Sequence, residues 1–191
     1  MSVLEDEAVG RIAPIGAAEG CLSRLEQEVT GLFDQFRERL LRYLLSMGVG
    51  AADGEEIVQE VFLALFQHLR RGKSQRNLRA WLFQVAHNLG LKQLSRMRRA
   101  KETLGGPEEF GLELRRADPG PNPEDQLAWR QRQQRFVRVL RALPEQDRRQ
   151  LSLRAEGLTY REIAEVLDIS VGGVSLSLGR SLARLGRALK E

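Results

Sequence analysis

The sequence predicts an all-α protein made of two small helical domains joined by a flexible linker, the C-terminal one a helix-turn-helix. Three observations predict it. Apolar residues recur at three- and four-residue spacing through most of the chain, the period of a helix with one buried face. No stretch shows the strict apolar–polar alternation of a half-buried strand. From 102 to 123 the helical pattern stops, at Gly105-Gly106-Pro107 and Pro119-Gly120-Pro121-Asn122-Pro123, because prolines and glycines at that density cannot keep a helix.

Residues 1–20 are rich in Gly and Ala without a sustained period and read as a disordered tail. A helical domain follows over 21–101. Its first helix carries Leu25, Val29, Leu32, Phe33, Phe36, Leu40 and Leu44 on one stripe and breaks at the glycines between Met47 and Gly54. The second starts near Asp53, whose side chain suits an N-cap, with Glu56 at capping-box spacing. Its stripe is Ile57, Val58, Val61, Phe62, Leu65 and Leu69, ending at Arg70-Arg71-Gly72. The third starts after Asn77, another N-cap candidate, and carries Leu78, Trp81, Leu82, Val85 and Leu89 before running into Arg96-Met97-Arg98-Arg99. Beyond the 102–123 linker, the second domain covers 124–191. Trp129, Phe136, Leu140 and Leu143 share a face there, and Pro144 with Glu145 and Asp147 suits the first turn of the next helix.

The chain has 191 residues, of which 42% are apolar and 29% charged, a composition ordinary for a globular protein. Its single cysteine, Cys21, permits no internal disulfide and fits a reducing cytosol. No apolar run is long enough to insert in a membrane. The N-terminus carries Glu5, Asp6 and Glu7 rather than a basic, apolar signal, so the expected location is cytoplasmic. His68 and His87, the only histidines, have no metal-ligand spacing with Cys21 and read as structural. No phosphate loop, nucleophile elbow or paired-carboxylate site stands out, so neither a metal, a cofactor nor catalysis is expected.

The sharpest local signal is Leu158-Thr159-Tyr160-Arg161-Glu162-Ile163-Ala164-Glu165-Val166-Leu167-Asp168-Ile169-Ser170. Thr159 and Glu162 have capping-box spacing, and Ile163, Val166 and Leu167 supply a buried face. Ala164 is small, as a close helix crossing demands. Asp168 takes the turn, where its short polar side chain tolerates left-handed backbone. Ser170 can cap the second helix, whose expected buried stripe is Val174, Leu178, Leu182 and Leu185. Such a pair lays its second helix in a DNA major groove. From Ser170 to Gly179 that helix has no charged residue. Base contacts therefore fall to Ser175, Ser177 and the backbone at Gly172 and Gly173. Phosphate attraction falls to Arg161, Arg180, Arg184 and Arg187, which supply affinity but little sequence information. The two glycines also cost the helix roughly 1 kcal/mol each relative to Ala.

The N-terminal domain segregates its charge. Gly48 to Leu69 holds four acidic residues, Asp53, Glu55, Glu56 and Glu60, and no Lys or Arg. Arg70 to Lys101 holds ten basic residues and no acidic one. Glu56, Gln59, Glu60 and Leu63 share a helix face, which suits a protein partner with a basic rim. Asn88, Lys92, Arg96 and Arg99 form a stripe that, with Lys73 and Arg76 in the preceding loop, is a footprint for a polyanion. Trp81 and Phe83 are candidates to stack on unpaired bases, although Trp81 also falls on the apolar stripe.

These residues resemble the RNA polymerase sigma factors of the extracytoplasmic-function group. The segment Asp53-Gly54-Glu55-Glu56-Ile57-Val58-Gln59-Glu60-Val61-Phe62 is similar to that family's region 2 signature, D-A-E-D-L-V-Q-E-V-F. Leu78 to Asn88 resembles the W-L-x-x-I-A-x-N segment that follows it. Arg141-Ala142-Leu143-Pro144 and the helix-turn-helix resemble region 4. The resemblance implies a protein that docks on core RNA polymerase through Asp53, Glu56, Gln59 and Glu60. It implies that the basic loop and third helix hold the separated strand of the promoter −10 element, with a base flipped from the stack. Region 4 would read the −35 element of promoter DNA and touch the polymerase flap. Many members are held inactive by an anti-sigma factor, a partner the tether would let clamp the two domains. Four positions depart from the pattern. Lys92 stands where Asp is usual, Gly173 replaces a Thr, and Ser175 and Ser177 replace basic residues. A stand-alone helix-turn-helix regulator is the alternative; it accounts for 158–189 but leaves the acidic–basic split of 53–101 unexplained.

Overall fold

A computed structural model describes residues 15–74, 76–104 and 133–190. Every regular element among them is a helix: α1 (Ile15–Met47), α2 (Ala51–Arg70), α3 (Leu78–Leu104), α4 (133–141), α5 (Glu145–Ala155), α6 (Tyr160–Leu167) and α7 (Val171–Lys190). Helix α1 starts at Ile15, so the last residues of the expected tail are helical. The segments 1–14 and 105–132, with most of the expected linker and Trp129, lie outside the described residues.

Helices α1, α2 and α3 pack on one another because each presents a continuous apolar stripe. Leu40, Leu44, Val58, Val61, Leu65, Leu82 and Phe83 are wholly or almost wholly buried where the stripes meet. Helix α1 ends at Gly48, whose positive φ of 94° suits a residue without Cβ. The turn brings α2 back so close that a Cβ on Gly54 would lie 2.9 Å from Leu41 Cδ1. The α2 N-cap is Gly50 and makes no side-chain bond, so Asp53 sits inside the first turn rather than capping it. Its carboxylate favours the positive helix end from there. Asn77 lies in the left-handed region (φ 57°) just before α3. Its side-chain amide donates to Glu165 at 2.7 Å.

The C-terminal helices build the expected helix-turn-helix. Thr159 Oγ1 accepts from the Glu162 amide at 3.3 Å, and Glu162 accepts from the Thr159 amide at 2.7 Å, closing the capping box. Asp168 turns the chain at φ 53° and ψ 50°. Ser170 Oγ then accepts from the Gly173 amide at 3.1 Å. The axes of α6 and α7 differ by 107°. Val174, Leu178 and Leu185 are buried as expected, but Leu182 is 52% exposed. It lies on the fringe of the buried stripe.

The two halves are not separate bodies here. Helix α5 packs on α1 and α6 on α3, and one hydrophobic core runs from Phe36 through Leu82 to Leu158, Ile163 and Leu178. At this junction the Tyr43 hydroxyl and His87 Nδ1 share a buried hydrogen bond of 2.8 Å. Burial, helped by the Arg149 guanidinium, pushes the His87 imidazole down from 6.5 to about 4.

His87 is therefore neutral in the fold, while the unfolded chain binds a proton there below about pH 6.5. Stability should fall as pH drops from about 6.5 to about 4, by on the order of 3 kcal/mol. Urea titrations across this range should show the slope, and His87→Gln should flatten it.

Candidate nucleic-acid and polymerase interface

The acidic face expected on α2 is present. Glu56, Gln59 and Glu60 are exposed, Leu63 is 59% exposed, and Asp53 is half-buried one turn earlier. The reason is the stripe on the opposite side: once Ile57, Val58, Val61 and Leu65 enter the core, the 3.6-residue period turns the acids outward. Glu55, on the flank, instead accepts from Arg37 Nη2 at 2.7 Å.

The loop from Arg71 to Asn77 is framed by its own hydrogen bonds. Lys73 N donates to the His68 carbonyl at 3.3 Å, and His68 Nε2 donates to the Ser74 carbonyl at 3.0 Å. The Arg76 amide donates to Ser74 Oγ at 3.1 Å. His68 also packs against Trp81, with ring centroids 4.8 Å apart. Lys73 and Arg76 stand exposed on this frame, and Asn88, Lys92, Arg96 and Arg99 are exposed along α3. Phe83 is wholly buried beside Tyr43, so it cannot stack on a base; full burial on a three-helix seam decides against that expectation. Trp81, half-buried on His68, takes its place in the loop's support.

The acidic and basic surfaces meet. Asp53, Glu56, Ile57 and Glu60 from α2 and Leu89, Lys92, Gln93 and Arg96 from α3 line one cleft of about 150 Å³. Lys92 and Arg96 thus face the acids of α2 across this cleft, which gives Lys92, where the family pattern has an acid, a complementary neighbour.

In the helix-turn-helix, Arg161, Ser170, Gly172, Gly173, Ser175, Arg180 and Arg184 are exposed. Ser177 is not available to DNA. It is 5% exposed and its hydroxyl donates to Asp147 Oδ1 at 2.6 Å, while Ser181 donates to Asp147 Oδ2 at 3.2 Å. Ser177 lies three residues from Val174 and four from Ser181, so the helical period carries it to the buried side with them. Arg180 and Arg184 line a small cleft beside this same Asp147.

The ion pairs that close the two halves together were not legible in the sequence. Arg42 grips Glu156 with two hydrogen bonds of 2.9 and 2.8 Å, with Arg39 Nε 3.6 Å from the same carboxylate. Arg79 grips Glu162 at 2.8 and 2.6 Å and reaches the Gly157 carbonyl at 3.3 Å. Burial pushes the Glu162 carboxyl up, but the hydrogen bonds from Thr159 and Arg79 outweigh it and hold it below the usual range. Pairs more than 75 positions apart carry no periodic signature.

Residues 32–100 match the model of sigma-70 region 2, and residues 133–185 match that of sigma-70 region 4. Over 148 residues the chain is 35% identical to the RNA polymerase sigma factor CnrH of Cupriavidus metallidurans, spanning 75% of this chain and 77% of that one. The chain belongs to the RNA polymerase sigma factors of the extracytoplasmic-function group. Like its relatives, this sigma factor is a transcription initiation protein. It is 27% identical to the sigma-E factor of Escherichia coli over 145 residues, covering 72% of this chain and 74% of that one. Its fold is similar to that of the sigma factor RpoE in complex with the anti-sigma factor NepR from Bartonella quintana, at TM-score 0.67 and 20% identity, covering 86% of this chain and 98% of that one. It is also similar to CnrH in complex with the cytosolic domain of CnrY, at TM-score 0.58 and 24% identity, over 91% and 94% of the two chains. Among the described residues of this sigma factor no single helix is long and apolar enough to cross a membrane. Nor does any group of three or more His, Cys, Asp or Glu there suit a metal ion.

Glu162 and Arg79 should show a coupling of about 1 kcal/mol in a double-mutant cycle, given the part exposure of Arg79. Arg79→Ala and Glu162→Gln should each enlarge the solution radius seen by small-angle scattering, and the combined variant should expand little further.

Proposed function

We propose that this sigma factor grips core RNA polymerase through the α2 face of Asp53, Glu56, Gln59, Glu60 and Leu63, and holds −10 DNA with Lys73, Arg76, Asn88, Lys92, Arg96 and Arg99. The observation that carries this reading is the charge boundary in the α2–α3 cleft, where four acidic or apolar α2 residues face Lys92 and Arg96. One side repels phosphate and invites a basic protein surface. The other attracts phosphate and releases counterions on binding DNA. A single small domain then holds the polymerase and the opened strand side by side. The exposed Arg161, Ser170, Gly172, Gly173, Ser175, Arg180 and Arg184 supply the −35 contacts.

Promoter binding requires the halves to part. Elements at −10 and −35 are separated by roughly 25 base pairs, about 85 Å of duplex at ~3.4 Å per step. Helix α6 packed on α3 cannot span that distance, and it also occupies Asn77 and Arg79 at the start of the DNA-binding helix. Core polymerase supplies a platform on which two weak DNA modules act together, and linkage through it raises their effective concentration. An anti-sigma partner, of the kind bound in the two similar complexes, would hold the closed arrangement. The division into a domain over 21–101, a linker over 102–123 and a domain over 124–191 fits this opening. The chain works in the cytoplasm, beside polymerase and chromosome, and the chemistry of transcription stays with the polymerase.

Run-off transcription with core polymerase on genomic fragments should give promoter-dependent products only when this chain is added. Charge reversal at Glu56 and Glu60 together should abolish co-purification with core polymerase and leave the helical content unchanged. Arg96→Ala with Arg99→Ala should keep core binding but cut strand opening at least tenfold, read by permanganate reactivity of unpaired thymines.

A further inference from the structure

The reading helix α7 carries an apolar side chain on its solvent face that the core does not explain. Leu176 is 70% exposed, more than any other large apolar side chain among the described residues. At 100° per residue, Gly172, Leu176, Gly179 and Ala183 fall on one stripe, and all four are exposed. Val174, Ser177, Leu178, Ser181 and Leu185 occupy the opposite, buried side. The other exposed leucines of α7, Leu182 and Leu189, lie on the fringe of that buried side, so partial exposure there follows from the edge of the core. Leu176 does not share that explanation.

The surroundings of Leu176 point to its occupant. A Cβ built on Gly172 or Gly179 would meet nothing within 4 Å, so these glycines are not required by packing inside the protein. Glycine is a poor helix former, so helix stability does not explain them either. They leave Leu176 standing alone on a bare strip of backbone that another surface can approach closely. Arg180, Arg184 and Arg187 are exposed along the same side, one to three turns on. A protein partner would need more than one apolar side chain among glycines and arginines to build a buried anchor cluster. A phosphate-lined groove with an apolar spot on its floor fits all four features. In the major groove the only apolar group on a base edge is the C5-methyl of thymine. Every other edge would leave a donor or acceptor dehydrated against Leu176.

We propose that Leu176 is a specificity-determining residue that packs on the methyl group of a thymine in the −35 element, with Gly172 and Gly179 admitting the base edges to the helix backbone. This rests on the reading of α6 and α7 as the −35 module. It places sequence choice in an apolar contact rather than in guanidinium–guanine pairs, which the uncharged stretch from Ser170 to Gly179 cannot make. Ser175 beside it adds a hydroxyl that accepts or donates according to the neighbouring base.

The test uses full-length chain, core polymerase and a promoter mapped by run-off transcription. Each −35 thymine is replaced in turn by deoxyuridine, which removes the methyl and nothing else. At one or two positions promoter use should fall about fourfold, the factor for one methyl group taken out of water. Leu176→Ala, whose unchanged melting curve reports an intact fold, should lose the distinction between thymine and deoxyuridine, and Leu176→Met should keep it. The assignment is overturned if every −35 thymine tolerates deoxyuridine, or if the element contains no thymine. It is equally overturned if Leu176→Ala weakens thymine and deoxyuridine templates alike, which would make Leu176 a protein contact. Transcription that persists when the whole −35 region is scrambled would instead remove the underlying reading of α6 and α7.

Discussion

The carboxylate of Glu162 is where the two halves of this sigma factor become one body. It closes the capping box that starts the helix-turn-helix, accepting from the Thr159 amide, and it takes both arms of Arg79 from the start of α3. A group so placed cannot easily be protonated, because its bonds hold it below the usual carboxylate range despite burial. The same atoms thus define a local helix start and a distant domain contact. Loss of the contact leaves the cap in place, since Thr159 and Glu162 belong to one segment. The start of the helix-turn-helix is thus secured by residues of its own segment and does not depend on Arg79.

Charge organises everything that faces solvent around this junction. At the junction the first domain offers two arginines and an asparagine and the second offers glutamates: Arg42 to Glu156, Arg79 to Glu162, and Asn77 to Glu165. These second-domain acids meet donors at the edge of a surface that otherwise attracts phosphate. The packed arrangement therefore neutralises part of the first half's positive charge with acids of the second. In each ion pair the arginine is part-exposed while the glutamate is only 10% exposed, so solvent screens the pair from one side. The apolar part of the junction joins Leu82 of the first half to Leu158 and Ile163 of the second in one continuous core.

The recognition helix illustrates how one face can be misjudged when family pattern replaces period. Ser177 stands where relatives carry a basic residue, which suggested a DNA contact, yet it is buried against Asp147. The neighbouring Leu176 projects to solvent. Counting 100° per residue from Val174, Leu178 and Leu185 places both correctly, so the signal was present in the sequence and needed only the buried stripe as its origin.

Much was legible without coordinates because it is local. Apolar stripes at helical spacing announced α1, α2, α3 and the pair α6–α7, and the capping box, left-handed Asp168 and Ser170 cap each involve residues within four positions of one another. The acidic face of α2 and the basic run after it were equally readable, since a helix that buries one stripe must expose the other. Helix starts were less so: Gly50 rather than Asp53 begins α2, because the tight turn after Gly48 decides it. What only the tertiary structure decided is long-range. The contact of α6 with α3, the burial of Phe83 beside Tyr43, and the choice of Glu162 by Arg79 depend on how three-dimensional packing aligns segments scores of residues apart. Periodicity says which face of a helix is buried, but not which other helix will cover it.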